Sequence, residues 1–296
     1  MSAPWLIVLA SFLFATMGVC VKLASAHYAA GEIVFYRGLT GALMMLAFAR
    51  WRRRSLATRV PAMHFWRSAT GVVSLCLWFY ALGNLPLATG MTLNYMSSVW
   101  MALFLIGGSI AAGAARVDGR AVAAVLLGFA GVALVLRPTI EQQQLWHGLM
   151  GLLSGMFAAT AYLQVTALGR AGEPDDRIVF YFSLGSVAAG ALTLLWSGLS
   201  PHTLEGIAEL LAVGMLATVA QWMMTRAYST GRTLVNASLQ YLGIAFSFAY
   251  GVLLFDDRVT LLALLGMVLI VGAGLFATLL RTRSVAHDPG RAPAES

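Results

Sequence analysis

The sequence predicts an all-α integral membrane protein of ten transmembrane helices, arranged as two inverted five-helix repeats. Three observations carry that reading: a composition too apolar for a water-facing surface, ten apolar runs of spanning length, and an internal repeat whose unit holds an odd number of helices. Of 296 residues, 59% are hydrophobic and 10% are charged, against about 25% charged in an ordinary globular domain. Two soluble domains of that total length are therefore excluded. Nucleic-acid binding is excluded as well. The formal charge is +7, yet 18 of the 19 basic residues are Arg, and most occupy short breaks between apolar runs instead of one face. Cys20 and Cys76 both lie inside apolar runs, which suits neither a disulfide scaffold nor a zinc site. No metal, cofactor or catalytic group is expected.

A spanning helix needs roughly 20 mostly apolar residues. Ten such runs occur, at about 4–24, 32–50, 67–84, 89–111, 120–137, 146–168, 178–197, 207–229, 234–255 and 260–280. The first is read as a retained helix and not a leader, because Met1-Ser2-Ala3-Pro4 offers no positive n-region. The eight prolines (Pro4, Pro61, Pro86, Pro138, Pro174, Pro201, Pro289 and Pro293) fall at run ends, in loops or in the tail, so none breaks a span. A break at glycine stays open. The connections are short, and residues 284–296, with Asp288-Pro289-Gly290, read as a disordered tail.

Orientation follows from the basic residues. Arg50, Arg52, Arg53, Arg54, Arg59, Arg67, Arg116, Arg120, Arg170, Arg177, Arg226, Arg232, Arg281, Arg283 and Arg291 all fall on one side, fifteen of nineteen. That side is read as cytoplasmic, with both termini on it.

Self-comparison exposes the repeat. Ile33-Val34-Phe35-Tyr36 recurs as Ile178-Val179-Phe180-Tyr181, Phe14-Ala15-Thr16 as Phe157-Ala158-Ala159-Thr160, and Asn94-Tyr95 answers to Gln240-Tyr241. Leu126-Leu127-Gly128 matches Leu264-Leu265-Gly266 near the start of the fifth and tenth runs. An odd number of helices per unit inverts the second copy. Inverted repeats commonly hold a substrate at their interface, near the membrane midplane.

Two five-helix units of this length, cytoplasmic termini and an Arg early in the second helix resemble the drug/metabolite transporter (DMT) superfamily of EamA-type ten-helix proteins. The resemblance covers residues 4–280 and is strongest to the bacterial aromatic amino-acid exporters. It implies a first EamA-type repeat at 1–140 and a second, inverted one at 141–283, surrounding a central cavity. It also implies outward movement of small metabolites across the bacterial inner membrane.

Polar groups within the runs mark candidate positions. Lys22, the lone lysine, ends the first run near the outer face, where its stem is long enough to snorkel. Arg37 lies about one turn into the second run with Glu32 five residues back, so these two could close the outer end of a pathway or simply pin helices together. No Asp or Glu lies mid-span, and every His is in a loop, at a helix end or in the tail. That disfavours proton-coupled export of cations and leaves facilitated diffusion or exchange.

Trp5, Tyr28, Trp51, Trp66, Trp146 and Trp196 read as an interfacial belt. Trp78, Tyr80, Tyr95, Tyr162, Trp222 and Tyr241 lie deeper, among Asn94, Ser98, Gln221 and Gln240. An uncharged cavity built from Trp78, Tyr80, Asn94, Tyr95, Ser98, Tyr162, Trp222, Gln240 and Tyr241 would suit a zwitterion with an apolar side chain. The expected function is export of aromatic and other neutral amino acids. A nucleoside-like or sulfonium metabolite, or a drug, is the alternative cargo; a channel or structural membrane protein is the alternative class. The expected partners are a small-molecule substrate and the lipid bilayer, with no nucleic acid; a monomer is compatible with the sequence.

Overall fold

A computed structural model of the chain describes residues 3–111, 123, 126–128, 130, 131, 134, 144–230, 236, 239–257, 260–262 and 264–273. No strand occurs among the described residues. The helices are α1 (Ala3–Ala24), α2 (Ala30–Trp51), α3 (Pro61–Asn84), α4 (Leu87–Tyr95), α5 (Ser97–Ala111), α6 (Gln144–Arg170), α7 (Asp175–Ser197), α8 (Leu204–Thr230) and α9 (Leu242–Phe255), followed by α10 (Leu264–Ala273). Prolines begin them and do not break them. Pro61 opens α3, and Pro86 and Pro174 cap α4 and α7, positions where a missing N–H costs nothing. The tail, most of the fifth run and the end of the tenth lie outside the described residues.

Five helices (α1, α2, α7, α8 and most of α6) are long and apolar enough to cross a membrane. Their outward faces carry large apolar side chains such as Leu192, Leu195 and Leu204, a surface suited to lipid and not to water. Trp5, Trp51, Trp66, Trp146 and Trp196 are exposed at helix ends, whereas Tyr28 is not part of this belt. Its ring is buried against Gly206 and the His202 ring instead.

The helices pack in reciprocal pairs: α1 on α8 and α3 on α6, α2 on α8 and α3 on α7, α1 on α9 and α4 on α6, with α2 against α7 and α4 against α9. The α2–α7 contact is close enough to need glycine from each side. A Cβ at Gly38 would lie 2.7 Å from the Val187 backbone nitrogen, and one at Gly190 would lie 2.6 Å from the Phe35 backbone. Such small-residue approaches hold helices together where lipid supplies no hydrophobic drive. Gly131 likewise meets the Gly266 carbonyl, while a Cβ at Gly272 would meet nothing within 4 Å among the described residues.

Two sequence-derived spans need correction. The run at 89–111 is not one helix: it breaks at Met96 (φ −56°, ψ −11°) into α4 and α5. The run at 234–255 has a turn at Gln240-Tyr241, where Tyr241 has φ −61° and ψ −18° before α9 begins. Each joint holds a tight turn, Val99 N–H to Met96 O at 2.9 Å and Gly243 N–H to Gln240 O at 2.9 Å. Neither joint contains proline, and no glycine occupies 94–98 or 239–242. Periodicity cannot reveal such a break, because the apolar pattern runs through it unbroken.

Candidate functional site

A cavity lies among α1, α2, α3, α4, α6, α7, α8 and the turn before α9. It takes in about 510 Å³ of unfilled space, open solvent included. Its lining includes Phe14, Arg37, Arg67, Gly71, Ser74, Trp78, Asn94, Tyr95, Tyr162, Phe182, Gln221, Met224 and Gln240. Helical register puts several of these together: on α3, Arg67, Gly71, Ser74 and Trp78 are spaced i, i+4, i+7 and i+11, a single stripe.

The charged part of the cavity is its least expected feature. Arg37 and Arg67 are 4% and 2% exposed. Their guanidinium carbons lie 5.0 Å and 4.2 Å from the centroid of the same Phe182 ring, as cation–π partners do. Arg67 reaches this position over Gly71, whose missing Cβ leaves the space that Arg67 Nη1 fills. Arg37 Nε, Arg67 Nε and Arg67 Nη1 have no hydrogen-bond partner among the described residues. No Asp or Glu lines the cavity among the described residues.

The neutral part is partly anchored. Asn94 donates to Ser154 Oγ at 3.0 Å, Ser74 donates to the Ser154 carbonyl at 2.8 Å, and Tyr228 donates to Gln240 Oε1 at 3.3 Å. Tyr162 stacks on Tyr228 with centroids 5.2 Å apart. The Trp78 indole N–H and the Tyr95 hydroxyl are buried without a partner among the described residues. The wall therefore offers rings, fixed amides and donors in excess of acceptors.

Of the sequence-derived candidates, the cavity brings together Trp78, Asn94, Tyr95, Tyr162 and Gln240. Four others stand away from it. Tyr80 packs its ring on His147 at 5.2 Å. Trp222 packs edge-on against Phe48, with Arg226 over its ring. Tyr241 is buried beside Ser98, behind the lining. The expected outer cluster is also divided. Arg37 faces the cavity, Lys22 pairs with Asp257 at 3.1 Å, and Glu32 accepts from Ser200 Oγ at 2.7 Å and faces His202 Nε2 at 3.4 Å. Arg67, counted as a loop-flanking charge in the orientation argument, is the main residue that sequence reasoning missed. The legible signal was its stripe with Gly71 and Trp78. The cavity is thus not uncharged, which corrects the basis for a simple zwitterion site.

Polar contacts tie both ends. At the arginine-rich end, Glu173 bonds His64 Nε2 at 3.0 Å, Arg177 Nη1 at 3.0 Å and Thr58 Oγ1 at 3.1 Å. Arg54 pairs with Asp176 there at 3.3 Å. At the other end stand the Lys22–Asp257 pair and the Glu32 contacts. No group of three or more His, Cys, Asp or Glu capable of holding a metal occurs among the described residues.

Comparison with known proteins gives consistent matches. A model of the EamA-like transporter family matches residues 1–137. The chain is 33% identical over 275 residues to the pseudopaline exporter CntI of Pseudomonas aeruginosa, covering 92% of this chain and 94% of that one. It is 25% identical over 222 residues to a riboflavin transporter of Rhizobium johnstonii, covering 75% of this chain and 72% of the relative. A solved crystal structure shares the fold with a TM-score of 0.68 at 19% identity, covering 95% of this chain and 98% of that one.

Proposed function

We propose, since this chain belongs to the EamA-like transporter family, that it exports amino acids or their small derivatives across the bacterial inner membrane by alternating access. It is a multi-pass bacterial membrane protein that transports a small metabolite. In this proposal residues 1–140 and 141–283 are inverted halves with both termini cytoplasmic. One observation carries it. The cavity draws side chains from both halves, Arg67, Trp78 and Asn94 from the first and Tyr162, Phe182 and Gln240 from the second. The reciprocal helix pairing and the two joints at corresponding positions support the same reading.

The lining suits a cargo that carries at least one carboxylate and an apolar part. Trp78, Tyr162 and Phe182 offer ring faces, while the arginines and the free donors favour acceptor oxygens. A sulfonium or other cationic cargo would meet two positive charges. Without Asp, Glu or His in the described lining, movement is facilitative or by exchange. Radiotracer counterflow in proteoliposomes, run over a panel of amino acids, tests this. Counterflow that survives collapse of the proton gradient by an ionophore is expected; its loss would require a proton site elsewhere.

A further inference from the structure

Two arginines that share one aromatic ring, with no acid beside them, are an unusual thing to bury. Arg37 lies seven residues into α2 and Arg67 six residues into α3, each about 10 Å from its helix start. Loop 52–60 joins α2 to α3, so the two side chains approach Phe182 from opposite depths. Arginine stays charged in proteins. Burying one such charge is costly unless it is paired, and structural arginines at membrane depth normally find a carboxylate or backbone carbonyls. Four acids elsewhere in the described structure are committed to other partners: Asp257 to Lys22, Glu173 to His64 and Arg177, Asp176 to Arg54, Asp175 to Arg226; Glu209, whose Oε2 is buried without a partner among the described residues, does not line the cavity. The guanidinium donors are instead held ready, one over Gly71, and aimed into a cavity.

We infer that Arg37 and Arg67, both packed on Phe182, form an anion clamp and that the cargo is an acidic metabolite with two or more carboxylates, not a neutral zwitterion. The inference rests on reading the cavity as the transport path. A cargo with two carboxylates answers both charges at once, and each guanidinium can grip a carboxylate through two parallel N–H bonds. A neutral amino acid would satisfy one arginine and set its ammonium against the other. Phe182, within cation–π distance of both guanidinium groups, supplies no acceptor that could compete with the ligand.

The full chain, purified and reconstituted in phosphatidylcholine vesicles, is tested with citrate, succinate and glutamate against phenylalanine and putrescine. Citrate is expected to bind at least about tenfold more tightly than phenylalanine. Arg37→Gln and Arg67→Gln should each remove that preference, while Arg226→Gln, which deletes an arginine outside the cavity, should keep it. The ligand-free melting temperature should hold or rise in the two cavity variants, because each removes an unpaired buried charge. If the Gln variants do not fold, Arg67→Lys keeps the charge without the planar fork, and it should fold and bind citrate more weakly than the wild type.

Equal binding of citrate and phenylalanine, or citrate binding unchanged in the Arg37 and Arg67 variants, would overturn the clamp. Loss of citrate binding on adding phosphatidylglycerol would give the site to a lipid headgroup and also overturn it. Phenylalanine counterflow without anion binding sinks the clamp alone and leaves the transport path standing. Arginine-dependent citrate binding with no counterflow of any probe does the reverse.

Discussion

Lys22 Nζ lies 3.1 Å from Asp257 Oδ1, joining the last turn of α1 to the residues just past α9. The same carboxylate accepts the backbone N–H of Leu87, the first residue of α4, at 2.8 Å. One acid therefore ties three segments, and its two jobs are unequal. Asp257→Asn should cost about 1–3 kcal/mol, since it leaves a half-buried ammonium unpaired. Lys22→Met leaves the carboxylate at a helix N-terminus that still favours it, and should cost under about 1 kcal/mol. Thermal unfolding in detergent reads both; equal losses would mean that the ion pair alone matters.

Glu173 predicts a pH dependence. Burial pushes its carboxyl up, but the bonds from His64, Arg177 and Thr58 outweigh burial and hold it below the ordinary carboxylate range. A group depressed on folding contributes fully above its unfolded value, near pH 4.3, and loses that contribution as pH falls through its folded value. Melting temperature should thus decline below about pH 4.3, and Glu173→Gln should show a shallower decline from a lower plateau. Parallel curves would remove Glu173 as the cause.

The joint at Met96 predicts a steric sensitivity on another helix. A Cβ at Gly155 of α6 would lie 2.6 Å from the Leu93 carbonyl oxygen and 3.0 Å from that of Asn94. Backbone cannot yield as a side-chain tip can, so Gly155→Ala should destabilise by roughly 1–3 kcal/mol. Gly107→Ala on α5, where nothing among the described residues lies within 4 Å, should be neutral or gain up to about 1 kcal/mol in helix propensity.

Asn94 and Gln240 line the cavity from corresponding places in the proposed repeat. Substituting either with Leu should lower transport per folded molecule roughly tenfold, the worth of one good hydrogen bond. Membrane expression and unfolding temperature, measured in parallel, separate this from helix bonding. A lower melting temperature with unchanged transport per folded molecule would reduce Asn94 to its bond with Ser154.

Sequence and structure agree best where hydrophobic length decides the outcome. Helices α1, α2, α7 and α8 follow their apolar runs closely, because a run of that length has no other stable form in lipid. Helix α3 begins at Pro61, six residues before its apolar run, since a polar first turn is invisible to hydropathy. The site was legible only in part. Trp78, Asn94, Tyr95, Tyr162 and Gln240 carry polarity or rings at depth, which a span-by-span reading detects. Tyr80 and Trp222 carry the same signal on faces that turn elsewhere, and rotation about a helix axis is set by packing partners far away in sequence. Arg67 was missed because an arginine near a predicted helix end looks identical whether it points to water or inward.

The two joints have one further consequence. At ψ −11° and −18°, Met96 and Tyr241 sit only some 25–30° from ordinary α-helical backbone, where ψ is about −42°. Neither residue is left-handed, and the joint at Met96 lies where the α6 backbone passes close, at Gly155. Helical bonds from Met96 N–H to Thr92 O at 3.1 Å and from Trp100 N–H to Met96 O at 3.0 Å carry the ladder across the joint, so α4 and α5 stay nearly in line and the dent costs the membrane-buried backbone no unpaired group at Met96.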